Sequence, residues 1–376
     1  MSVEIRALQP TRSQLRKFAR FGIDLYEGNP YYVPALIHDD VNTLSPKVNP
    51  AFDFCEAQCF MAYRDGKPVG RIAGIINNAV NGRTGQKTLR FGFVDFIDDT
   101  EVVDALFDAC AAWGKERGMD SMLGPMGFTD MDHEGMLVEG FDQLGTMATI
   151  YNHPYYPRHM ERMGFTPEAE WVEMAIKIPD SIPDKYARVA EIVKTRNNLK
   201  VLKFTSRKKI KEQYGVALFE LINEAYDQLY GYSPLTPRQI DYYIDMYLGI
   251  LNLDFVTVVV DSEDRLVAVG ISIQSFSKAL QKARGRLLPT GWWHLLQTLR
   301  GKSDIVDLLL IAVKPEYQNK GVNALLFTDL IPHYIKAGFK HAETNPELAG
   351  NDKVRGQWDY FDTRLHKRRR SFRRPL

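Results

Sequence analysis

The stretch LLLIAVKPEYQNKGVNALL, residues 308–326, decides how the chain is read. It closes a strongly apolar run from Ile305 to Val313, the pattern of a strand buried on both faces. Pro315 ends that run, and the polar segment Glu316-Tyr317-Gln318-Asn319-Lys320-Gly321 leads at once into a helix that reaches Ala337. A strand that turns directly into a helix presents the helix's first N–H groups, and the positive end of its dipole, to whatever lies in front. Such a terminus suits a phosphate or pyrophosphate. Gly321 removes a Cβ from the approach and Lys320 adds positive charge. The Walker A spacing GxxxxGK[ST] is absent.

The elements around this loop occur twice. Upstream of it, Phe255–Val260 and Leu266–Ile273 form a predicted hairpin about Asp261-Ser262-Glu263-Asp264. Downstream, Gly338 ends the helix, His341–Thr344 is a short strand, and Asn351–Leu365 reads as a helix leading into a basic end. In the first half, Phe60–Tyr63 and Val69–Ile76 form a hairpin about Asp65-Gly66, Leu89–Ile97 follows as a strand, and Val102–Arg117 as a helix closed by Gly118. DGKPVGRIAGII at 65–76 overlays EDRLVAVGISI at 263–273. Pro179 and Pro183, with Asp180 and Asp184, make a linker. The repeat predicts two α/β domains of one fold, 1–180 and 185–376.

The loop resembles the pyrophosphate loop of the GNAT (acyl-CoA N-acyltransferase) superfamily, Q/R-x-x-G-x-G/A after the fourth strand, preceded by V-x-P-x-Y. Val313, Pro315, Tyr317, Gln318 and Gly321 match; Asn323 stands where the family usually has Gly or Ala. The resemblance implies two tandem GNAT-like domains, each a mixed, mostly antiparallel sheet flanked by helices. It implies acetyl-CoA or another acyl-CoA as co-substrate, with no metal. The acyl-CoA site would comprise the backbone of Ile311 and Val313 on a splayed strand, then Gln318, Asn319, Lys320, Gly321, Val322, Asn323 and Ala324. The acyl group would pass directly to an amine. Tyr360 would protonate the thiolate, and Glu343, with Asn345 beside it, would take the amine's proton. The first half resembles the same family by element order and by YYPRHMERMGF at 155–165. Its strand runs into Asp98-Asp99-Thr100-Glu101, however, and acids at a helix start repel a pyrophosphate. Met160 occupies the position of the family's frequent Tyr. The first domain therefore reads as a copy that has lost CoA binding. The whole resembles tandem two-domain bacterial GNAT-like proteins with a G-P-x-G/N-F loop and a basic C-terminal end.

Three further features bear on partners. The loop from Gly124 to Gly135 carries Asp130, Asp132, His133 and Glu134, which suit a cationic amine better than a metal, since no second His stands at ligand spacing. Residues 278–302 hold Lys278, Lys282, Arg284, Arg286, Arg300 and Lys302 and no acid, interleaved with Leu287, Leu288, Trp292, Trp293, Leu295 and Leu296. Such a segment can lie on an anionic membrane or cover a small-molecule or lipid-like amine acceptor. Arg364 to Arg374 holds seven bases that can meet a phosphate. The 376-residue chain has 48 bases and 47 acids, net +1, which argues against nucleic acid as a partner except a tRNA at the basic end. Three cysteines, no apolar leader and no run long enough to span a bilayer place the chain in the cytoplasm, with peripheral membrane association open. Two rival readings stay open: transfer of an aminoacyl group from tRNA, and a non-catalytic binding protein motivated by Asn323.

Overall fold

The computed structural model describes residues 2–247, 249–301 and 303–376; Lys302 of the basic segment lies outside the described residues. The strands are β1 Glu4–Ala7, β2 Cys55–Arg64, β3 Lys67–Asn77, β4 Thr88–Phe96, β5 Ser121–Gly124, β6 Met136–Glu139 and β7 Thr166–Lys177. They continue as β8 Lys200–Leu202, β9 Val256–Val260, β10 Leu266–Gln274, β11 Ile305–Val313, β12 His341–Thr344, β13 Glu347–Leu348 and β14 Thr363–Pro375. The chain divides into two compact α/β units. Unit 1 holds the chain up to Val172, Phe276–Gln297 and His366–Leu376; unit 2 holds Glu173–Ser275 and Thr298–Leu365.

Unit 1 has the strand order β1-β2-β3-β4-β5-β14-β7. Asp65 and Gly66 both take positive φ, the turn that matches strand twist, and so fix the β2–β3 hairpin. The pleat then sorts side chains by parity. Phe60, Ala62, Ile72 and Ile76 meet Val102, Val103, Leu106 and Phe107 of the helix Thr100–Lys115. Cys59, Met61, Ala73 and Ile75 join Leu15, Phe18 and Ala19 of the helix Arg12–Leu25 on the opposite face. Unit 2 repeats the plan with β7 (from Glu173)-β12-β11-β10-β9-β8. The helix Asn323–Ala337 packs Leu326, Leu330 and Ile331 with Val259, Ala268 and Val306 of the sheet. In each unit the fourth and fifth strands of the repeat, β4 with β5 and β11 with β12, run parallel, while the hairpins are antiparallel. A parallel pair needs a crossover, which these two helices supply.

Two expectations are corrected. The division is not a cut between 180 and 185, because the insert 276–297 and the last eleven residues, 366–376, belong to unit 1. Within unit 1 the Gln281 side-chain amide donates to the carbonyls of Pro30 and Tyr32, and the Ile37 N–H to Gly285 O. Asn351–Leu365 is not one helix either. It contains the short helix Asp352–Arg355 and the turn Gly356–Trp358, and β14 begins at Thr363. Gly350 and Gly356 weaken a helix there, and the bases beyond are strand residues with partners. Lys367 and Arg369 are buried, and Arg369 donates to the carbonyls of Ile150 and Gly135. Arg368 and Arg370 share Glu170, and Arg373 meets Glu168 at 3.1 Å.

Candidate active site

The ladder between β11 and β12 stops at Leu308–Thr344, although β11 continues to Val313. Asn345 marks the point of parting: its N–H donates to Leu308 O at 3.2 Å and its side-chain amide to Leu309 O at 2.8 Å. Beyond it, the Tyr226 hydroxyl donates to Ile311 O at 2.9 Å. Lys314 N–H bonds Val267 O on the other flank, so by strand alternation the polar groups of Ile311 and Val313 face the side that β12 has left. Beside this edge stands Glu347. Its carboxylate accepts from Trp358 Nε1 at 3.0 and 3.2 Å, and burial raises it from the usual range to about 7. Burial pushes the Tyr226 phenol up, and the negative charge of Glu347 adds to the rise. A small apolar cavity under the edge is lined by Ile271, Leu308 and Ile311 of the sheet, Phe327 and Leu330 of the helix, and Phe361.

The loop after β11 turns through Pro315–Tyr317, then through left-handed residues at Asn319 (φ 59°) and Gly321 (φ 78°), into the helix Asn323–Ala337. Val322 stands at its N-cap without a side-chain acceptor, and the N–H groups of Ala324 and Leu325 donate to Gly321 O and Val322 O at 3.0 Å. The corresponding helix of unit 1 is capped from within: Asp99 accepts from Val102 N at 3.1 Å and pairs with Arg64 at 2.7 Å. The unit 1 strands are also closed where those of unit 2 part. Met126 N donates to Phe91 O at 2.8 Å, and a Cβ on Gly92 would lie 2.3 Å from Met126 O. Unit 2 thus has a strand edge that β12 has left beside a loop and a helix start, and unit 1 has its edge closed and its helix start capped by an acid.

Not every expected residue keeps its role. Ile311, Val313, Gln318, Asn319, Lys320, Gly321, Val322, Asn323 and Ala324 are brought together as a strand edge, a loop and a helix start. Gly321, however, makes its close approach to protein: a Cβ there would meet Val189 at 2.8 Å, on the helix Asp184–Arg196. Glu343 faces Asp307 and Ala175 across the sheet ladder. Asn345 has both its amide groups engaged at the strand parting. Tyr360 is half exposed, with its hydroxyl on Lys185 and its ring under the same ammonium at 3.7 Å. In unit 1, Asp132 accepts from the N–H groups of Phe128 and Thr129 and so braces its own loop. His133 meets Met147 O at 3.0 Å. Burial and Asp130 raise Glu134 to about 8. Glu347 and Tyr226 went unnoticed in the sequence. Tyr226 lies in a helix far upstream, and only the fold carries its hydroxyl to β11. Among the described residues no group of three or more His, Cys, Asp or Glu is arranged to hold a metal ion.

Comparison with solved structures bears on the fold. A tandem GNAT protein from the clavulanic acid biosynthesis pathway superposes with a TM-score of 0.58, covering 100% of this chain and 98% of its own, at 11% identity. The fold is that of a tandem GNAT protein. No family model matches the sequence. Two relatives share more sequence. Protein YghO of Escherichia coli is 26% identical over 323 residues, 85% of this chain and 81% of its own. A bacterial ceramide synthase of Caulobacter vibrioides is 25% identical over 311 residues, 82% of this chain and 80% of its own.

Proposed function

We propose that unit 2 transfers an acyl group from acyl-CoA to the amine of a lipid-like acceptor. The observation that carries this is the free edge of β11, with Tyr226 on the Ile311 carbonyl and Glu347 beside it, poised near neutrality. An ammonium must lose a proton before it can attack, and a carboxylate of pKa about 7 takes one readily at neutral pH. The amine then forms a C–N bond to the acyl carbon, the C–S bond breaks, and the amine's second proton ends on the thiol. The Ile311 N–H stabilises the charge that develops on the acyl oxygen, with Tyr226 and Asn345 holding the strand in place. The helix start, which has no side-chain cap, and Lys320 take the pyrophosphate. The lipid-like acceptor is supported by the ceramide synthase among the relatives.

A second reading, a binding protein without turnover, draws on Gly321, whose approach to Val189 sets the helix Asp184–Arg196 against the loop. The pairing of the C-terminal bases with Glu168 and Glu170 gives the tRNA reading no support. The test is release of free thiol from acyl-CoAs of two to sixteen carbons, with and without a long-chain amine. The background is low because Cys55, Cys59 and Cys110 are buried. Amine-dependent release that disappears in Gly321→Glu is expected. The absence of both thiol release and binding heat with every acyl-CoA would overturn the proposal, and binding heat without release would favour the second reading.

A further inference from the structure

The insert of unit 1 ends in an apolar tip that the acyl-transfer chemistry does not use. Leu288 is 75% exposed, Trp292 and Trp293 47% each, and Leu287 39%. Isolated exposed apolar residues are common, but four large ones within seven positions are not a solubility-neutral arrangement. The tip is also built rather than loose. Trp292 N–H donates to Leu287 O at 2.7 Å and its indole N–H to Pro289 O at 2.9 Å. A Cβ on Gly291 would lie 1.8 Å from Arg286 O, and one on Gly285 2.2 Å from Ile23, so the turn closes tightly on the body of the unit. Ser277 Oγ donates to Gly145 O at 2.9 Å, and Arg284 pairs with Glu27. The leucines and tryptophans are thus held outward by a fixed base, which lowers the ordering cost of any contact they make.

The charges around the tip name its partner. Lys278, Lys282 and Arg286 are exposed, and 278–301 contains no acid. Tryptophan has an apolar ring body and a polar N–H, and it concentrates where hydrocarbon meets headgroups. Bases beside it are drawn to anionic lipid. We infer that the segment Arg286–Trp293 docks the protein on an anionic bilayer surface, with Leu287, Leu288, Trp292 and Trp293 in the headgroup layer and Lys278, Lys282 and Arg286 on lipid phosphates. The contact is interfacial; among the described residues no helix is long and apolar enough to cross a membrane. This inference is independent of the acyl-transfer reading, because its test contains no acyl-CoA.

The test is flotation of the full chain with vesicles of phosphatidylcholine alone or with 30% phosphatidylglycerol, at 0.1 and 0.5 M NaCl. Tryptophan emission is recorded in parallel. Trp113, Trp171 and Trp358 are buried, so a blue shift on adding vesicles reports Trp292 and Trp293. Binding to anionic vesicles with a blue shift, at least tenfold weaker for Trp292→Ser/Trp293→Ser and severalfold weaker at high salt, is expected. These side chains are exposed, so the variants should keep the parent's thermal midpoint; Leu288→Asp and Arg286→Glu give the same readout independently. Absence of flotation, or flotation unchanged in all these variants, overturns the inference. So does self-association that Leu288→Asp abolishes in a chain that does not float.

Discussion

Glu347 lies only four residues beyond Glu343, the carboxylate that strand position recommended, and the difference between them is environment. Glu343 belongs to the ladder of β12, whereas Glu347 is desolvated beside Trp358 and raised to about 7. Two consequences follow from that pKa. As a general base, Glu347 makes kcat/KM rise with pH through about 7, and Glu347→Gln should lower it by roughly 10²–10⁴-fold and remove that limb. The same shift acts on stability. A folded-state pKa above the unfolded value means that the native chain binds the extra proton. The contribution is therefore full below about 4.5 and is lost as pH rises through about 7. Glu347→Gln should consequently gain stability relative to the parent between pH 5 and pH 8, by on the order of 2–3 kcal/mol at most, and denaturant melts at the two pH values measure it. A smaller shift of opposite sign would mean the carboxyl is not desolvated.

At the scale of elements, the sequence was legible wherever a local rule set the outcome and illegible where a partner did. The Asp65-Gly66 hairpin, the glycine ends at Gly118 and Gly338, and the strand–loop–helix of 305–337 all follow from local chemistry. The acid-bearing helix start in unit 1 was likewise visible, because Asp99 and Glu101 sit in the motif itself, though the cap that Asp99 makes was not read from it. The C-terminal bases misled, since a run of Arg and Lys ordinarily means a solvated face. What turns them into β14 is the matching carboxylates Glu168 and Glu170 on β7, some two hundred positions away. Arg369 is the member most committed to this: it is 1% exposed and donates to Ile150 O and Gly135 O. Arg369→Met keeps the apolar stem but strands those carbonyls, at a cost of about 1–3 kcal/mol. Urea unfolding should show a lower midpoint with an unchanged slope. A midpoint equal to the parent's would show that the guanidinium is dispensable to the strand.

At the scale of the whole molecule, duplication was read correctly from the repeat, but the two copies are not separable by one cut. The chain returns to unit 1 twice after leaving it, at Phe276–Gln297 and at His366–Leu376. Sequence cannot show this, because a repeat aligns elements in order and says nothing about which copy a terminal strand completes. In unit 1, β14 stands between β5 and β7, with Phe372 opposite Gly124 and Arg373 opposite Leu123. Without it, β5 loses a neighbour and the core loses Phe372, which is 1% exposed among Phe60, Phe91 and Phe165. In unit 2, β12 pairs with Ala175–Lys177 of β7, residues that precede the linker. A fragment 1–180 therefore carries an unpaired, apolar-lined sheet edge, and a fragment 185–376 lacks the strand beside β12. Unpaired edges of this kind drive aggregation. Each fragment expressed alone should be insoluble or lack a cooperative thermal transition. Co-expression should recover soluble material, because the second fragment supplies β14 and the first supplies β7. A soluble 1–180 fragment with a sharp melt would mean that unit 1 closes without its C-terminal strand, and that the two copies are autonomous after all.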